Sequence, residues 1–176
     1  PSNDGAVQVY QRMTTDIAML ATASASLRAD RGGDTPQAQV PAMFALVEGF
    51  GRPAFEGTAI RPVNPATDCV TMAGAPPSFG WACFQEKRVP IVVLLSSGPW
   101  HNGPGGTAPY SPPETTATYD ALRAAMLRRG ALFVGIDVAA DCGGAAPMLT
   151  NARSLATATN TVDRAGQPIA LCGPAA

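Results

Sequence analysis

Two short apolar runs, residues 89–95 (VPIVVLL) and 131–136 (ALFVGI), constrain the fold more than any other feature of the sequence. Both are apolar and carry no charge, and the first is rich in β-branched residues, which is typical of strands buried in a parallel sheet. Between them, apolar residues recur at helical spacing over 119–129, and Gly130 stands where that helix would end. Parallel strands need a crossover of this length. The sequence therefore predicts a right-handed βαβ unit, with 89–95 at the centre of the sheet and buried on both faces.

Periodicity predicts further elements around this unit. They are helices from Thr15 to near Gly32 and Gly33, over 36–47 and over 147–159, and short strands over 7–12 and 169–172. The first helix is expected to bury one face. The second is expected to begin with Thr35 as N-cap and Pro36 at the first helical position, with a kink or restart at Pro41. The alternation predicts the α/β class, with a doubly wound, mostly parallel sheet.

The cysteines point to an exported protein. There are four, none in a Cys-x-x-Cys pair, and His101 is the single histidine, so no zinc set is predicted. An even number favours two disulfides, with buried reduced thiols as the alternative. Of three possible pairings, Cys69–Cys83 and Cys142–Cys172 close the shortest loops. The first would staple residues 50–88, a stretch rich in proline and glycine that is predicted to be a long ordered loop.

Length and charge limit the functions that remain. A chain of 176 residues fits one domain over 1–176, with 50–88 as a loop insertion within it. Charged residues are only 14% and the net charge is -1, so nothing favours binding to nucleic acid or to an anionic membrane. No apolar run approaches the roughly 20 residues of a membrane span. Together with the predicted disulfides, these features lead us to expect a secreted or cell-surface protein.

Polar residues follow the predicted strands, where parallel sheets bind their ligands. A serine hydrolase would use Ser97 as nucleophile, His101 as base and Asp137 to orient the histidine. The G-x-S-x-G elbow is missing, and the chain order Ser, His, Asp is not the order of that fold. We therefore expect no catalytic residues. His101 is expected to hydrogen-bond within its loop, and Asp137 to be an ordinary solvated or capping acid.

Three motifs carry a resemblance to a known family. They are residues 32–38 (GGDTPQA), the run 89–95 leading into 96–104 (SSGPWHNGP), and 119–136 with its Arg-Gly-Ala turn. In this order they resemble the later part of a von Willebrand factor A domain, related to the integrin I-like domains, of bacterial surface proteins. The resemblance covers about residues 10–170. It implies a von Willebrand A or Rossmann-like scaffold and a binding function.

In that family a metal-ion-dependent adhesion site collects ligands from three loops. The first, Asp-x-Ser-x-Ser, is missing from this chain. The second falls on Asp34, Thr35 and Gln37, with glutamine where relatives often have glutamate, and the third on Ser97, where the family has aspartate. A hard divalent cation prefers anionic oxygens, so the site is expected to be degenerate at Thr35 and Ser97 and to hold no metal. Magnesium or calcium is expected only if the missing N-terminal part supplies acidic ligands.

The resemblance also implies that the domain is N-terminally incomplete. A family member begins with a strand, a helix and a second strand, whereas this chain enters near the third strand. A sheet without its central strand would expose the face of residues 89–95, so an upstream segment or a second chain is expected to complete it.

The predicted function is an extracellular adhesion or protein–protein assembly module, whose partner is a protein or the chain itself. A structural subunit of an extracellular filament or shell is the alternative. Trp100 is expected to offer apolar contact area in a rigid loop, or else to pack over the edge of the sheet. The residues expected to bind are Asp34, Thr35, Gln37, Ser96, Ser97, Trp100, His101 and Asn102.

Overall fold

The computed structural model describes residues 11, 13–26, 36–49, 52–55, 58–60, 62–69, 77–110, 117–139 and 146–173. The chain divides into two compact units, Pro1–Asp34 with Ala45–Arg88 and Thr35–Phe44 with Val89–Ala176. The described helices are α1 Ile17–Ser26, α2 Gln39–Glu48, α3 Pro65–Asp68, α4 Tyr119–Arg129 and α5 Pro147–Ala158. The described strands are β1 Arg52–Phe55, β2 Thr58–Ile60, β3 Ser78–Phe79, β4 Phe84–Gln85, β5 Ile91–Ser96, β6 Leu132–Asp137 and β7 Ala170–Cys172. Helices and strands are thus mixed, as in the α/β class.

The second unit is built on a three-stranded parallel sheet in the order β5-β6-β7. Strands β5 and β6 pair in parallel and are joined by α4, so the predicted strand–helix–strand order and parallel pairing are confirmed. Helix α4 has the predicted bounds for local reasons. The Thr118 side chain accepts a hydrogen bond from the Ala121 amide at the start, and Gly130 takes the left-handed conformation at the end (φ 60°).

One face of this sheet carries the core of the unit. Val92 and Phe133 point into it, and α4 and α5 contribute buried side chains that include Leu122 and Leu155. Gly135 lies directly under α5, since an ideal Cβ at this position would come within 2.5 Å of the Ala152 Cβ. Only glycine lets the helix lie this close to the strand.

The opposite face of the sheet is open, which corrects the prediction for residues 89–95. Ile91, Val93 and Leu95 are 57%, 51% and 63% exposed, and β5 is an edge strand of its sheet rather than the central one. The prediction that this strand is buried on both faces is therefore wrong. A continuous apolar run shows that a strand can be buried on both faces, but not that other elements cover both.

Helices α1 and α2 differ from their predictions in burial and in bounds. No residue of α1 is buried, and Ile17 is 80% exposed, so the expected buried face is absent. Helix α2 begins at Gln39 rather than at Pro36, and Thr35 lies outside the described residues. Pro41 is therefore the third residue of α2 and lies in its first turn, where the backbone N–H has no acceptor within the helix. No kink or restart is needed.

Residues 50–88 were predicted to form a loop, and their described part forms short hairpins instead. Strands β1 and β2 pair antiparallel, as do β3 and β4. The disulfide Cys69–Cys83 is formed, as predicted, and the rings of Phe79 and Phe84 lie 5.6 Å apart beside it. The strands are only two to four residues long, too short to produce a period that can be read from the sequence.

Cys172 is also disulfide-bonded. Cys142, its predicted partner, lies outside the described residues. Disulfides persist in oxidising compartments, so they fit an extracellular protein. In the part of the chain that the structure describes, no helix has both the length and the apolar character needed to cross a membrane.

Candidate functional site

The segment before α2 and the loop after β5 meet at the carboxyl end of the sheet. Gln37 N donates to Pro99 O (2.9 Å) and His101 N donates to Gln37 O (2.9 Å), which forms a parallel bridge between Gln37 and Trp100. The two sequence motifs that predicted parts of one site are therefore adjacent. We call Gln37, Gln39, Ser96, Ser97 and Gly98 the carboxyl-edge site.

A network of neutral side chains fills the inner part of this site. Gln39 Nε2 donates to Gln37 Oε1 (2.5 Å) and to Ser96 Oγ (2.6 Å), and Ser96 Oγ donates to Gln37 Oε1 (2.9 Å). Gln39 and Ser96 are buried, while Gln37 is half-buried. Two donors thus share the side-chain oxygen Oε1 of Gln37, which fixes the orientation of its side-chain amide.

The outer part of the carboxyl-edge site offers hydrogen-bonding groups at the surface. Ser97 is exposed, and the Gln37 amide group packs on Gly98, where an ideal Cβ would lie 3.1 Å from Gln37 Nε2. Gln37 Nε2 makes no hydrogen bond to the described residues. The site can therefore donate and accept hydrogen bonds with a polar partner, without a formal charge of its own.

The donor set of this site is a poor match to a hard divalent cation. Amide and hydroxyl oxygens compete weakly with water for such an ion, compared with carboxylates. Within the described ranges no group of three or more His, Cys, Asp or Glu side chains could hold a metal. Asp34 and Thr35, which were predicted to belong to the site, lie outside those ranges.

His101 is held by contacts within its own loop. His101 is buried, its Nδ1 lies 2.9 Å from Ala108 O, and its ring stacks on Tyr110 with centroids 4.1 Å apart. No hydrogen bond joins Ser97 to His101 in the described structure. The prediction that His101 hydrogen-bonds within its loop is confirmed.

Trp100 and Asn102, which were predicted as binding residues, hold the loop after β5 in place through buried contacts. Trp100 is completely buried and meets Phe133 edge to face, with ring centroids 5.9 Å apart. Asn102 is also buried, and its Nδ2 donates to Ala117 O (3.3 Å). The alternative interpretation, in which Trp100 packs against the sheet, describes its position.

Sequence reasoning missed two buried polar residues near this edge. Asp137, which was expected to be a solvated or capping acid, is fully buried opposite Ser96 in the sheet, and its Oδ1 accepts from Ala139 N two residues on (2.9 Å), as a capping acid does. Its alternation with Phe133 and Gly135, which point to the covered face, could have revealed this burial. Gln39 had no comparable signal, because its partner Ser96 lies 57 residues away in sequence.

Comparisons of the chain with protein-family models, with curated proteins and with solved structures found no match.

Proposed function

We propose that this chain is an extracellular protein–protein assembly module, secreted or held at the cell surface, on a doubly wound von Willebrand A-like scaffold. One observation carries the proposal, the uncovered side of the β5-β6-β7 sheet. Its apolar side chains form what we call the open sheet face: Ile91, Val93, Leu95, Leu132, Val134, Ile136 and Leu171.

The open sheet face is large enough to matter energetically. Strands β5 and β6 have six residues each and β7 has three, so the face spans roughly 14 Å across the strands and about 20 Å along β5 and β6. Ile91, Val93, Leu95 and Leu171 are each at least half exposed. Burying the exposed half of one such side chain contributes about 1 kcal/mol, so covering these four would contribute about 4 kcal/mol. A contiguous uncharged patch of roughly 280 Å² is close in size to the largest patch on a typical monomer, and such patches are often functional.

The rest of the unit supports an assembly role on this scaffold. The motifs that resemble the family's second and third metal-site loops come together at the carboxyl edge. The side chains of Gln37, Gln39 and Ser96 at this edge are neutral and hydrogen-bonded to one another, which favours recognition through apolar contact and neutral hydrogen bonds. The disulfide Cys69–Cys83 supports export.

Site-specific photocrosslinking tests the proposal in the host that makes the protein. A photoreactive amino acid replaces Val93 on the open sheet face or, as a control, Leu127, an apolar residue on α4 that is 54% exposed. We expect a discrete protein adduct from position 93 and none from position 127. No adduct at position 93, or equal adducts at both positions, would contradict the assembly function.

A further inference from the structure

Strand β5 has a free backbone edge as well as an exposed apolar face. Leu132 N donates to Pro90 O (2.9 Å) and Val138 N donates to Ser96 O (3.0 Å), so the even-numbered residues of β5 bond to β6. The odd-numbered residues Ile91, Val93 and Leu95 direct their N–H and C=O groups to the other side. None of these groups is hydrogen-bonded in the described structure.

This edge also lacks the features that protect edge strands from pairing. Natural edges carry lysine, proline, bulges or inward charges, or they are short. Ile91–Ser96 contains no charged residue and no proline, and its register with β6 is unbroken over six residues. An uncharged apolar strand of this length is a template for another strand.

The edge is complementary to itself. If two copies pair antiparallel with Val93 opposite Val93, then Ile91 of each copy lies opposite Leu95 of the other. All the free N–H and C=O groups are on these odd-numbered residues, so every N–H finds a carbonyl oxygen. The two-fold axis is perpendicular to the sheet, which places both open sheet faces on the same side.

We propose that a second copy of this chain pairs through β5, forming a continuous six-stranded sheet across a two-fold axis. The inference rests on the proposed assembly function and names a partner for the backbone edge of β5, beside the open sheet face. Each apolar cross-strand pair adds a contact, and no like charges meet at the axis. A partner of unrelated sequence would have to supply the matching register, whereas a second copy has it by symmetry.

The size of the contact sets the expected strength of the dimer. Stable interfaces bury about 800 Å² from each partner, and one pair of six-residue strands buries less. The dimer should therefore be weak and concentration-dependent, with a dissociation constant in the micromolar range or above. It would be reinforced wherever copies are concentrated on a surface.

Sedimentation equilibrium of the complete, disulfide-bonded chain tests the inference. We expect a reversible monomer–dimer equilibrium in which V93K weakens association at least tenfold, because two lysines would face each other at the axis. L127K, at an equally exposed apolar position on α4, is the matched control and should leave association unchanged. If V93K fails to fold, V93P replaces it, since the Val93 N–H is not used by β6.

A cysteine variant reports the register directly. Residues directly opposite each other in a hydrogen-bonded antiparallel pair have Cα atoms about 5.5 Å apart, within disulfide range. Under oxidising conditions V93C should form a covalent dimer, and L127C should not. A chain that is monomeric at every concentration, or a dimer that V93K and V93P leave intact, overturns the inference. If position 93 crosslinks to a different protein in the host while the purified chain is monomeric, the self-pairing fails but the assembly function stands.

Discussion

The contact between Gly135 and α5 gives the sharpest test of the packing. An ideal Cβ on Gly135 would lie 2.5 Å from the Ala152 Cβ, and ordinary van der Waals contact begins at 3.4 Å. In Gly135→Ala the helix and the strand must therefore separate by 0.9 Å (3.4 − 2.5). Ala152 is fully buried, so the movement disturbs the surrounding core. Overpacking of this kind typically costs about 1–3 kcal/mol of unfolding free energy.

A second substitution should restore the contact. Ala152→Gly removes the opposing methyl group, and by itself it costs about 1 kcal/mol through the low helix propensity of glycine. If the two Cβ atoms are the cause, the double variant should be no less stable than Ala152→Gly alone. The coupling free energy between the two substitutions should then be about 1–3 kcal/mol, which offsets the cost of Gly135→Ala.

Equilibrium unfolding in urea measures these differences, provided that the signal comes from the second unit alone. Trp100 is buried there against Phe133, whereas Trp81 belongs to the other unit. In a Trp81→Phe background, fluorescence therefore reports on Trp100. Additive costs in the double variant, or an unchanged midpoint for Gly135→Ala, would refute the proposed contact.

Three further predictions concern the ionisation of Tyr119, the Cys69–Cys83 disulfide and the binding of divalent cations. Burial raises the pKa of Tyr119, and the hydrogen bond of its hydroxyl to Ser154 offsets this shift in part. The buried neutral phenol therefore contributes its full stability below pH about 10, and that contribution is lost as the pH rises further. The urea midpoint should therefore fall above that pH, and less in Tyr119→Phe. Replacing Cys69 and Cys83 by serine opens a loop of 15 residues (83 − 69 + 1) and should cost about 3 kcal/mol, measured through Trp81 fluorescence. Calorimetry with magnesium, calcium and manganese should show no micromolar binding, and such binding lost on Thr35→Ala would contradict the degenerate site.

The elements that the sequence predicted well are those determined by nearby residues. Helix α4 follows from Thr118 at its start, a buried stripe and Gly130 at its end, all within one short segment. The pairing of β5 with β6 follows because a crossover of this kind leaves few alternatives. Cysteine number and spacing were likewise enough for the first disulfide.

The features that the sequence did not reveal depend on what lies across the fold. The burial of β5 is determined by which elements cover each face, and its six residues carry no information about that. The carboxyl-edge network joins Gln39 to Ser96, which no local pattern connects. A large apolar residue such as Trp100 suits either the core or a contact surface. Only its packing against Phe133 shows that it belongs to the core.

The bridge between Gln37 and Trp100 has a consequence for the segment that it encloses. The two residues are 63 positions apart (100 − 37), and most of the intervening chain, Ala45–Arg88, belongs to the other compact unit. Loop-closure entropy grows only with the logarithm of length, so closing this loop costs about 1.5 kcal/mol more than closing one of about 12 residues. Shortening or extending the enclosed segment therefore changes the free energy of closure very little. A flexible peptide added to the enclosed segment would therefore cost little closure entropy, and the segment offers a place to graft a foreign peptide while the parallel sheet is kept.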